Sequence, residues 1–254
     1  MDTFSIVTCG DKNYFPFLKQ IESNIFSIYG TYPVIYDLGL EPEQKKNLKS
    51  PIRKIAFPET FSGYNSKKYI KAIHKPFCLL DFLTQFSLNC LYIDADTVFI
   101  EKVPETAFEH ADICVTPRHP KERKPEYYTN GLINTGVIFF RNTRAVAEIM
   151  RQWATRCQTE DQTDQQALSE LLSEHVDLLG GAEYQNWETV SIKLLDAQIY
   201  NDVSCSTGRI LHFKNAGRTS KAFQKYTRFT CLQRHMPWGV RQWIAFKRRL
   251  KQLK

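Results

Sequence analysis

The spacing of apolar residues changes repeatedly along the first hundred positions. Short apolar runs predict β-strands at 4–8, 32–37, 52–57 and 90–100. Between them, apolar residues three or four apart predict helices at 14–28, 41–49 and 66–87. Pro76 must start or kink the last helix. Alternating strands and helices are typical of a parallel, doubly wound sheet, in which ligands bind at the carboxyl ends of strands.

The second half of the chain is more mixed. The pattern predicts strands at 112–116, 132–140 and 209–213, and helices at 143–157, 164–172 and 237–254. A basic, Pro-punctuated segment at 118–130 is interpreted as a mobile loop. We therefore expect an α/β fold with one domain at 1–235, a mixed, mainly parallel central sheet flanked by helices, and a basic amphipathic C-terminal helix within a tail at 236–254.

Composition narrows the class of protein. The chain has 254 residues, 43% of them hydrophobic and 13% aromatic, which is ample for a large core. Seven scattered cysteines without a Cys-x-x-Cys pair indicate reduced thiols rather than a disulfide framework or a zinc site. The start, Met1-Asp2-Thr3, is unlike a signal peptide, and we expect a cytoplasmic protein, peripheral on the cytoplasmic membrane face.

The net charge of +7 is unevenly distributed. Positions 203–254 contain 13 Lys/Arg and no Asp/Glu, which leaves 34 − 13 = 21 basic against 27 acidic residues elsewhere, a net of −6. Such asymmetry predicts a basic surface with an anionic partner. Diphosphate, an acidic membrane face and nucleic acid are the candidates.

Two aspartates interrupt the apolar run at 90–100. Asp94 and Asp96 are two positions apart, so in a strand both carboxylates point to one face. Like charges that close repel each other unless a cation lies between them, and Mg²⁺ and Mn²⁺ prefer carboxylate ligands. A turn or cap role is the structural alternative for either residue. The pair predicts a metal–diphosphate platform, and hence nucleotide-sugar transfer.

Further motifs follow in a recognisable order. They are Ile6-Val7-Thr8-Cys9-Gly10, Lys75-Pro76, Tyr92-Ile93-Asp94-Ala95-Asp96, Asn134-Thr135-Gly136-Val137, Asp164-Gln165-Gln166-Ala167-Leu168 and, more weakly, Leu211-His212-Phe213. With this order the chain resembles GT-A-fold glycosyltransferases, especially glycosyltransferase family 8 and the related nucleotide-diphospho-sugar transferase families, over about residues 3–220. The resemblance implies a Rossmann-like GT-A fold.

The resemblance also implies where the nucleotide and the metal bind. Thr8, Cys9 and Gly10 would line the base and ribose with Tyr14 as a stacking partner, although residues 8–10 also suit an ordinary strand-to-helix turn. Asp94 and Asp96 would hold Mn²⁺ or Mg²⁺, with His212 as the third ligand. The alternative for His212 is a purely structural role. The Asp94-Ala95 pair would also contact the donor.

The donor sugar would be contacted by Asn134, Thr135 and Gly136. Gly136 allows close backbone approach, or marks a bulge. The catalytic pair would be Asp164 and Gln165, although Asp164 also suits a helix N-cap and Asp161-Gln162 offers a competing register. Lys75 would pair with diphosphate or sugar, or extend to solvent from a helix.

One departure concerns the phosphate-binding segment. Family 8 members usually follow His-Phe with Gly, Lys, Pro and Trp at set spacing, and no Lys-Pro-Trp follows His212 here. Lys214, Arg218 or Lys221 would replace that contact, because the charge of the leaving group needs cations placed in advance. Gly217 would also contact the donor.

The predicted activity is metal-dependent transfer of a hexose from a nucleotide-sugar, by resemblance a UDP-sugar. The acceptor would be a hydroxyl of a glycan or lipid-linked glycan in cell-surface polysaccharide or lipopolysaccharide synthesis. Retention of anomeric configuration is preferred, with Gln165 stabilising the cationic centre; inversion would use Asp164 as base. A sugar-1-phosphate nucleotidylyltransferase, a nucleic-acid-binding protein and an inactive carbohydrate-binding relative are the alternatives.

The tail at 237–250 mixes aromatic and cationic residues. Basic amphipathic helices with Trp and Phe bind anionic membrane surfaces, which would bring the enzyme to lipid-linked acceptors. The alternative is a basic helix that packs Trp238 and Trp243 on the domain.

Overall fold

The computed structural model describes residues 4–58, 73–122, 128–214, 216–217 and 219–252. Its strands are β1 Phe4–Gly10, β2 Val34–Asp37, β3 Ile52–Arg53, β4 Asn89–Ile93, β5 Thr97–Phe99, β6 Ile113–Pro117, β7 Ile133–Phe140, β8 Tyr184–Trp187, β9 Val190–Leu194 and β10 Ile210–His212. Its helices are α1 Phe15–Tyr29, α2 Pro42–Lys46, α3 Lys75–Gln85, α4 Arg144–Thr159, α5 Asp164–Ser173, α6 Ala197–Tyr200, α7 Ser220–His235 and α8 Pro237–Gln252.

The central sheet has eight strands in the order β3-β2-β1-β4-β7-β6-β9-β8. Strands β3, β2, β1 and β4 are parallel, and β7 runs antiparallel between β4 and β6. A separate two-stranded sheet pairs β5 with β10 in antiparallel fashion. The expected mixed α/β fold with flanking helices is confirmed.

Burial explains why the sheet forms the centre of the molecule. All eight residues of β7 are buried, as expected for a strand covered on both faces. Helix α1 buries Phe17, Leu18, Ile21 and Ile25, which recur at helical spacing, and ends at Gly30 with a φ of 76°. The carboxyl ends of β1 and β4 are adjacent in this sheet, which places Gly10 and Asp94 at the same edge.

Several predicted boundaries were wrong. Strand β3 covers only Ile52–Arg53 of the predicted 52–57, and α3 ends at Gln85, before the predicted 87. Pro76 lies in the first turn of α3, where its missing N–H has no partner to lose. Residues 66–72 of that predicted helix lie outside the described residues.

The interpretation of 118–130 as a mobile loop was wrong for its first residues. Arg118 and His119 are buried, and Arg118 donates hydrogen bonds to the carbonyl oxygens of Gly131 and Asn130 at 2.6 and 2.8 Å. A short 3₁₀ helix follows at Pro120–Glu122. Residues 123–127 of the segment lie outside the described residues.

Elements that the pattern did not predict complete the second half: β8, β9, α6 and α7. Helix α8 was predicted, and it buries Val240 and Ile244 against a cluster that includes Leu211, Phe213 and Tyr226. Trp238 and Trp243 instead remain exposed, so the packing expected of them in the structural alternative was wrong. The division at 235/236 stays a prediction. None of the described helices combines the length and apolar character needed to cross a bilayer.

Candidate active site

Asp94 and Asp96 lie in a tight turn, so their prediction as part of a strand was wrong. Strand β4 ends at Ile93, and the turn is closed by the Thr97 amide, which donates to the Asp94 carbonyl oxygen at 3.1 Å. The chain then enters β5, where Thr97 pairs with His212 of β10. The turn therefore connects the two sheets and brings the aspartates beside His212.

The three predicted metal ligands converge. His212 Nε2 lies 3.4 Å from Asp96 Oδ1 and 3.8 Å from Asp94 Oδ2. One ligand atom from each residue lies within 4.8 Å of the others. Asp96 and His212 are buried, whereas Asp94 is partly exposed. Two carboxylate oxygens and one imidazole nitrogen form a donor set that fits Mn²⁺.

Gly136 of β7 forms one wall of this cluster. Its carbonyl oxygen accepts a hydrogen bond from the Asp94 amide at 2.8 Å. A Cβ at this position would lie 2.4 Å from His212 Cε1 and 3.0 Å from Asp94 Oδ2. The β6–β7 register also shifts here, since Val115 pairs with Ile138 and Thr116 with Asn134. Gly136 thus lies where the strand pairing is irregular and where the backbone closely approaches the site.

Lys75 does not extend to solvent. It is buried, and its Nζ lies 3.1 Å from Asp94 Oδ1 and 2.8 Å from Asp164 Oδ2. The Thr135 hydroxyl accepts from the same ammonium at 3.0 Å and lies 2.9 Å from Asp164 Oδ2, to which it donates. Burial lowers the pKa of Lys75. The negative charges of Asp164 and Asp94 together raise it by more, so the net pKa lies well above its usual range. Lys75 is therefore a permanent cation that joins α3, β4 and α5.

Tyr92 was not predicted, although it lies on the same face of β4 as the first aspartate. Its hydroxyl donates to Asp94 Oδ1 at 2.9 Å, and its ring lies 4.9 Å from Lys75 Nζ. Burial raises the pKa of Asp94, but Lys75, His212 and the Tyr92 hydroxyl together lower it by more, so that the net pKa lies below its usual value. A search for polar residues two positions before the aspartates would have found Tyr92.

The residues predicted to bind the base and ribose lie along the carboxyl end of β1. Thr8 is fully buried, and its hydroxyl has no partner among the described residues. Cys9 Sγ lies 3.4 Å from the Tyr92 hydroxyl, and burial raises the pKa of Cys9 to about 11. Gly10 ends the strand, and Tyr14 packs on Phe17 with ring centroids 5.5 Å apart.

The predicted donor-sugar residues lie on β7 and at the start of α5. Asn134 is buried; its Oδ1 accepts from the Gly136 amide at 2.9 Å, while its Nδ2 has no partner within the part of the chain that the structure describes. Thr163, not Asp164, caps α5. Gln165 Nε2 donates to the Asn130 carbonyl oxygen at 2.7 Å. Asp161 is exposed, so the competing register does not reach the cluster.

The remaining residues predicted to contact the donor are Ala95, Lys214, Gly217 and Arg218. Lys214 Nζ forms an ion pair with Glu122 Oε1 at 2.8 Å. Gly217 is exposed, and a Cβ there would lie 2.8 Å from Tyr14 Cζ. Ala95 is buried in the core cluster with Phe17, so its side chain points away from a ligand. Arg218 lies outside the described residues.

Two further polar residues lie on the side of His212 that faces away from the aspartates. Asn201 and Thr116 are buried, and Asn201 Oδ1 lies 2.8 Å from His212 Nδ1. No sequence signal indicates Asn201, because it stands in a loop far from any motif. Its partners are set by the pairing of residues 202 and 211 alongside β10.

The chain resembles known proteins in its sequence profile and in its fold. Residues 42–234 match the profile of the family described as nucleotide-diphospho-sugar transferase. Comparison with curated protein sequences gives no match to this chain.

Solved structures share the fold. A galactosyltransferase, LgtC, in complex with donor and acceptor sugar analogues is 14% identical with a TM-score of 0.58, covering 89% of this chain and 95% of that one. A glycosyltransferase involved in glycosylation of the major capsid of PBCV-1 is also 14% identical, with a TM-score of 0.53 and coverage of 89% and 99%. An active-site mutant of LgtC in which a glutamine is changed to glutamate is 14% identical, with a TM-score of 0.55 and coverage of 89% and 94%.

Proposed function

We propose that the protein catalyses the metal-dependent transfer of a hexose from a UDP-sugar with retention of configuration. The premise is that the chain belongs to the nucleotide-diphospho-sugar transferase family and is a glycosyltransferase. The acceptor is a hydroxyl of a glycan or lipid-linked glycan used in cell-surface polysaccharide or lipopolysaccharide synthesis. The observation that carries the proposal is the convergence of Asp94, Asp96 and His212 at the edge of the sheet.

Asp94, Asp96 and His212 would hold the metal. The fit rests on the donor set and on the partial exposure of Asp94, which leaves one side of the cluster open. A bound Mn²⁺ supplies Lewis-acid stabilisation of the departing diphosphate. The preference for Mn²⁺ over Mg²⁺ follows from the imidazole nitrogen in the set.

Lys75 has a supporting electrostatic role in this proposal. Its ammonium bridges Asp94 and Asp164, so it fixes the position of both carboxylates. Because Asp164 Oδ2 already accepts from Lys75 and Thr135, that oxygen is a poor candidate for the general base that an inverting reaction requires. This arrangement supports retention.

Gln165 is the residue we assign to the reacting face of the donor sugar. Its Nε2 is held by the Asn130 carbonyl oxygen at 2.7 Å, and among the described residues no hydrogen bond engages its Oε1. An amide oxygen can stabilise an anomeric centre with oxocarbenium character. The LgtC active-site mutant also concerns a glutamine, which makes Gln165 the first residue to test.

The nucleotide would lie along the carboxyl end of β1. Thr8, Cys9, Gly10 and Tyr14 line this edge, and Cys9 stays a neutral thiol at physiological pH because burial raises its pKa to about 11. The donor sugar would contact Asn134, whose buried Nδ2 is a ready hydrogen-bond donor. Lys214, Gly217 and Arg218 would contact the phosphates.

An assay of a panel of UDP-sugars tests this proposal. We expect UDP release with one donor in the presence of Mn²⁺ and none with a chelator, and proton NMR of the first-formed product should show the anomer of the donor. Product of the opposite anomeric configuration would contradict retention. Activity that survives complete chelation would contradict the metal.

We also propose that α8 docks on the cytoplasmic face of an anionic membrane. Trp243, Phe246 and Leu250 are three and four residues apart and form an exposed stripe, with side chains 48%, 59% and 46% exposed. Trp238, still more exposed, lies in the first turn. Lys247 Nζ lies 3.4 Å from the centroid of the Trp243 ring, which places a cation beside the apolar surface. Apolar side chains flanked by cations suit the interface of an acidic bilayer.

Sedimentation with vesicles of phosphatidylglycerol and phosphatidylcholine tests the docking. Trp243→Ser with Phe246→Ser should weaken binding several-fold, and added salt should weaken the wild type further. Phe26→Ser is the matched control, because Phe26 is an exposed aromatic residue on α1. Equal binding of the double variant and the control would contradict the proposal.

A further inference from the structure

The protonation of His212 decides whether it can bind a metal. Neutral imidazole has one N–H, and a metal ligand must present the other nitrogen without a proton. His212 Nε2 faces Asp96 and Asp94, at 3.4 and 3.8 Å. Those carboxylates favour a proton on Nε2, which would block ligation there. A group on the other side of the ring must therefore hold the proton on Nδ1.

Asn201 is that group, and its own neighbours fix the orientation of its amide. Its Nδ2 lies 2.8 Å from Thr116 Oγ1 and 3.3 Å from the Asn134 carbonyl oxygen. The Thr116 hydroxyl donates its hydrogen to the same carbonyl at 3.0 Å, so Thr116 Oγ1 can only accept from Asn201. Because a backbone carbonyl can only accept, the NH₂ half of Asn201 must face this side.

The orientation of the amide has a direct consequence for His212. Asn201 Oδ1 faces His212 Nδ1 at 2.8 Å, and an amide oxygen can only accept. The proton of the ring therefore lies on Nδ1, which donates to Oδ1. Nε2 is left with its lone pair directed toward the aspartate side.

Backbone hydrogen bonds hold Asn201 and His212 in register. The Asp202 amide donates to the Ile210 carbonyl oxygen, and the His212 amide donates to the Asp202 carbonyl oxygen, both at 3.0 Å. Asn201 is 1% exposed, so water does not compete for its amide. The chain from Asn201 to Asp202 is thus tied to β10 on either side of the imidazole.

We propose that Asn201 is a positioning residue that holds the proton of His212 on Nδ1 and keeps Nε2 available for a divalent cation. The inference rests on the proposed metal site and adds a residue that no motif contains. Outer-shell partners of metal-bound histidines alter metal affinity by about 10- to 100-fold when they are removed. We expect a loss of that size without Asn201.

The first test needs no variant. Nitrogen NMR of ¹⁵N-histidine-labelled, metal-free protein at mildly alkaline pH reports which ring nitrogen of His212 carries a proton. Disappearance of its signal in His212→Gln identifies the residue. We expect a proton on Nδ1 and none on Nε2; an unprotonated Nδ1 or a protonated Nε2 would overturn the inference.

The second test compares substitutions of two asparagines. Asn201→Leu removes the acceptor at similar volume and should move the proton to Nε2 and weaken Mn²⁺ binding, measured by electron paramagnetic resonance with UDP present, by about 10- to 100-fold. Asn201→Asp retains an oxygen acceptor and should keep Nδ1 protonated. Asn142→Leu is the control, because Asn142 Nδ2 likewise donates to a backbone carbonyl, that of Leu83 at 3.0 Å, away from the site.

The outcomes separate this inference from the function on which it rests. Unchanged Mn²⁺ affinity in folded Asn201→Leu, with wild type that binds Mn²⁺, overturns the role of Asn201. A wild-type protein that binds no Mn²⁺ would overturn the proposed metal site. The presence or absence of a proton on His212 Nδ1 in that protein would still show whether Asn201 holds the proton there.

Discussion

Two aspartates near His212, Asp94 and Asp202, differ in how their charge is stabilised. Asp202 is 0% exposed and accepts hydrogen bonds from backbone amides of its own loop, those of Ser204, Ser206, Thr207 and Gly208, at 2.8 to 3.0 Å. Burial raises the pKa of Asp202, and a bond from the Ser204 hydroxyl together with these amide bonds lowers it to below its usual value. Neighbours in sequence supply all of these bonds, and His119 Nε2 also lies 3.6 Å from Asp202 Oδ1.

Asp94 has a different set of partners. They are Lys75, from the distant helix α3, and Tyr92, two positions earlier in the chain, and the carboxylate remains partly exposed next to Asp96. A carboxylate satisfied by its own loop stabilises that loop. A carboxylate held by a distant cation, and still open on one side, retains capacity to bind something else.

Asp96→Asn removes one predicted metal ligand next to Asp94 and should have the largest effect. We expect transfer to fall by about 1,000-fold or more, because several kcal/mol of leaving-group stabilisation would be lost with the metal. Circular dichroism should show an unchanged fold. Asp81→Asn is the control, since Asp81 accepts from the Tyr36 hydroxyl at 2.6 Å rather than facing the site. Comparable losses in both variants would remove the distinction.

Lys75→Met addresses the cation that holds the open carboxylate. Removing one partner of a buried ion pair costs about 3–5 kcal/mol, since Asp94 and Asp164 would remain charged without the Lys75 ammonium. Urea denaturation measures the loss in free energy of unfolding. We further expect Mn²⁺ to restore part of that stability. A variant as stable as wild type would show that Lys75 does not support the site.

Asp202→Ala tests the closed carboxylate. Loss of the acceptor leaves several loop amides without a partner, and we expect the free energy of unfolding to fall by about 2–3 kcal/mol. The loss in kcat should be far smaller than in Asp96→Asn. A catalytic defect as large as that of Asp96→Asn, with stability unchanged, would reverse the roles of the two aspartates.

Ser204→Ala should have the smallest effect. The Ser204 hydroxyl donates to Asp202 Oδ1 at 2.5 Å, and its loss should cost about 1 kcal/mol of stability because the amide bonds to Asp202 remain. Mn²⁺ affinity should match wild type. A large change in Mn²⁺ affinity would show that the loop and the metal site are not separable.

Much of the fold could be predicted from local patterns. The strands and helices of the first half follow apolar spacing, and β7 follows from its continuous apolar run. Strands β8 and β9 could not be found in this way, because β8 is largely exposed and has no clear alternation. The turn at Asp94–Asp96 was hidden by the apolar residues on both sides, which read as one strand.

The candidate site was predictable only where residues stand in motifs. More than a hundred positions separate His212 from Asp94 and Asp96, and the pairing of β5 with β10 brings them together. Asn201 and Thr116 stand in no motif, so only the tertiary structure reveals them. Family resemblance identified the ligands, whereas the groups that orient them depend on packing particular to this chain.

The central claim is that Asp94, Asp96 and His212 hold a divalent cation against a nucleotide-sugar. Calorimetric titration of UDP-sugars into wild type and Asp96→Asn, each with Mn²⁺ and with a chelator, tests it most directly. The account predicts tight binding of one UDP-sugar to wild type with Mn²⁺, and at least about tenfold weaker binding in the other three cases. Equal affinity in all four cases would contradict it.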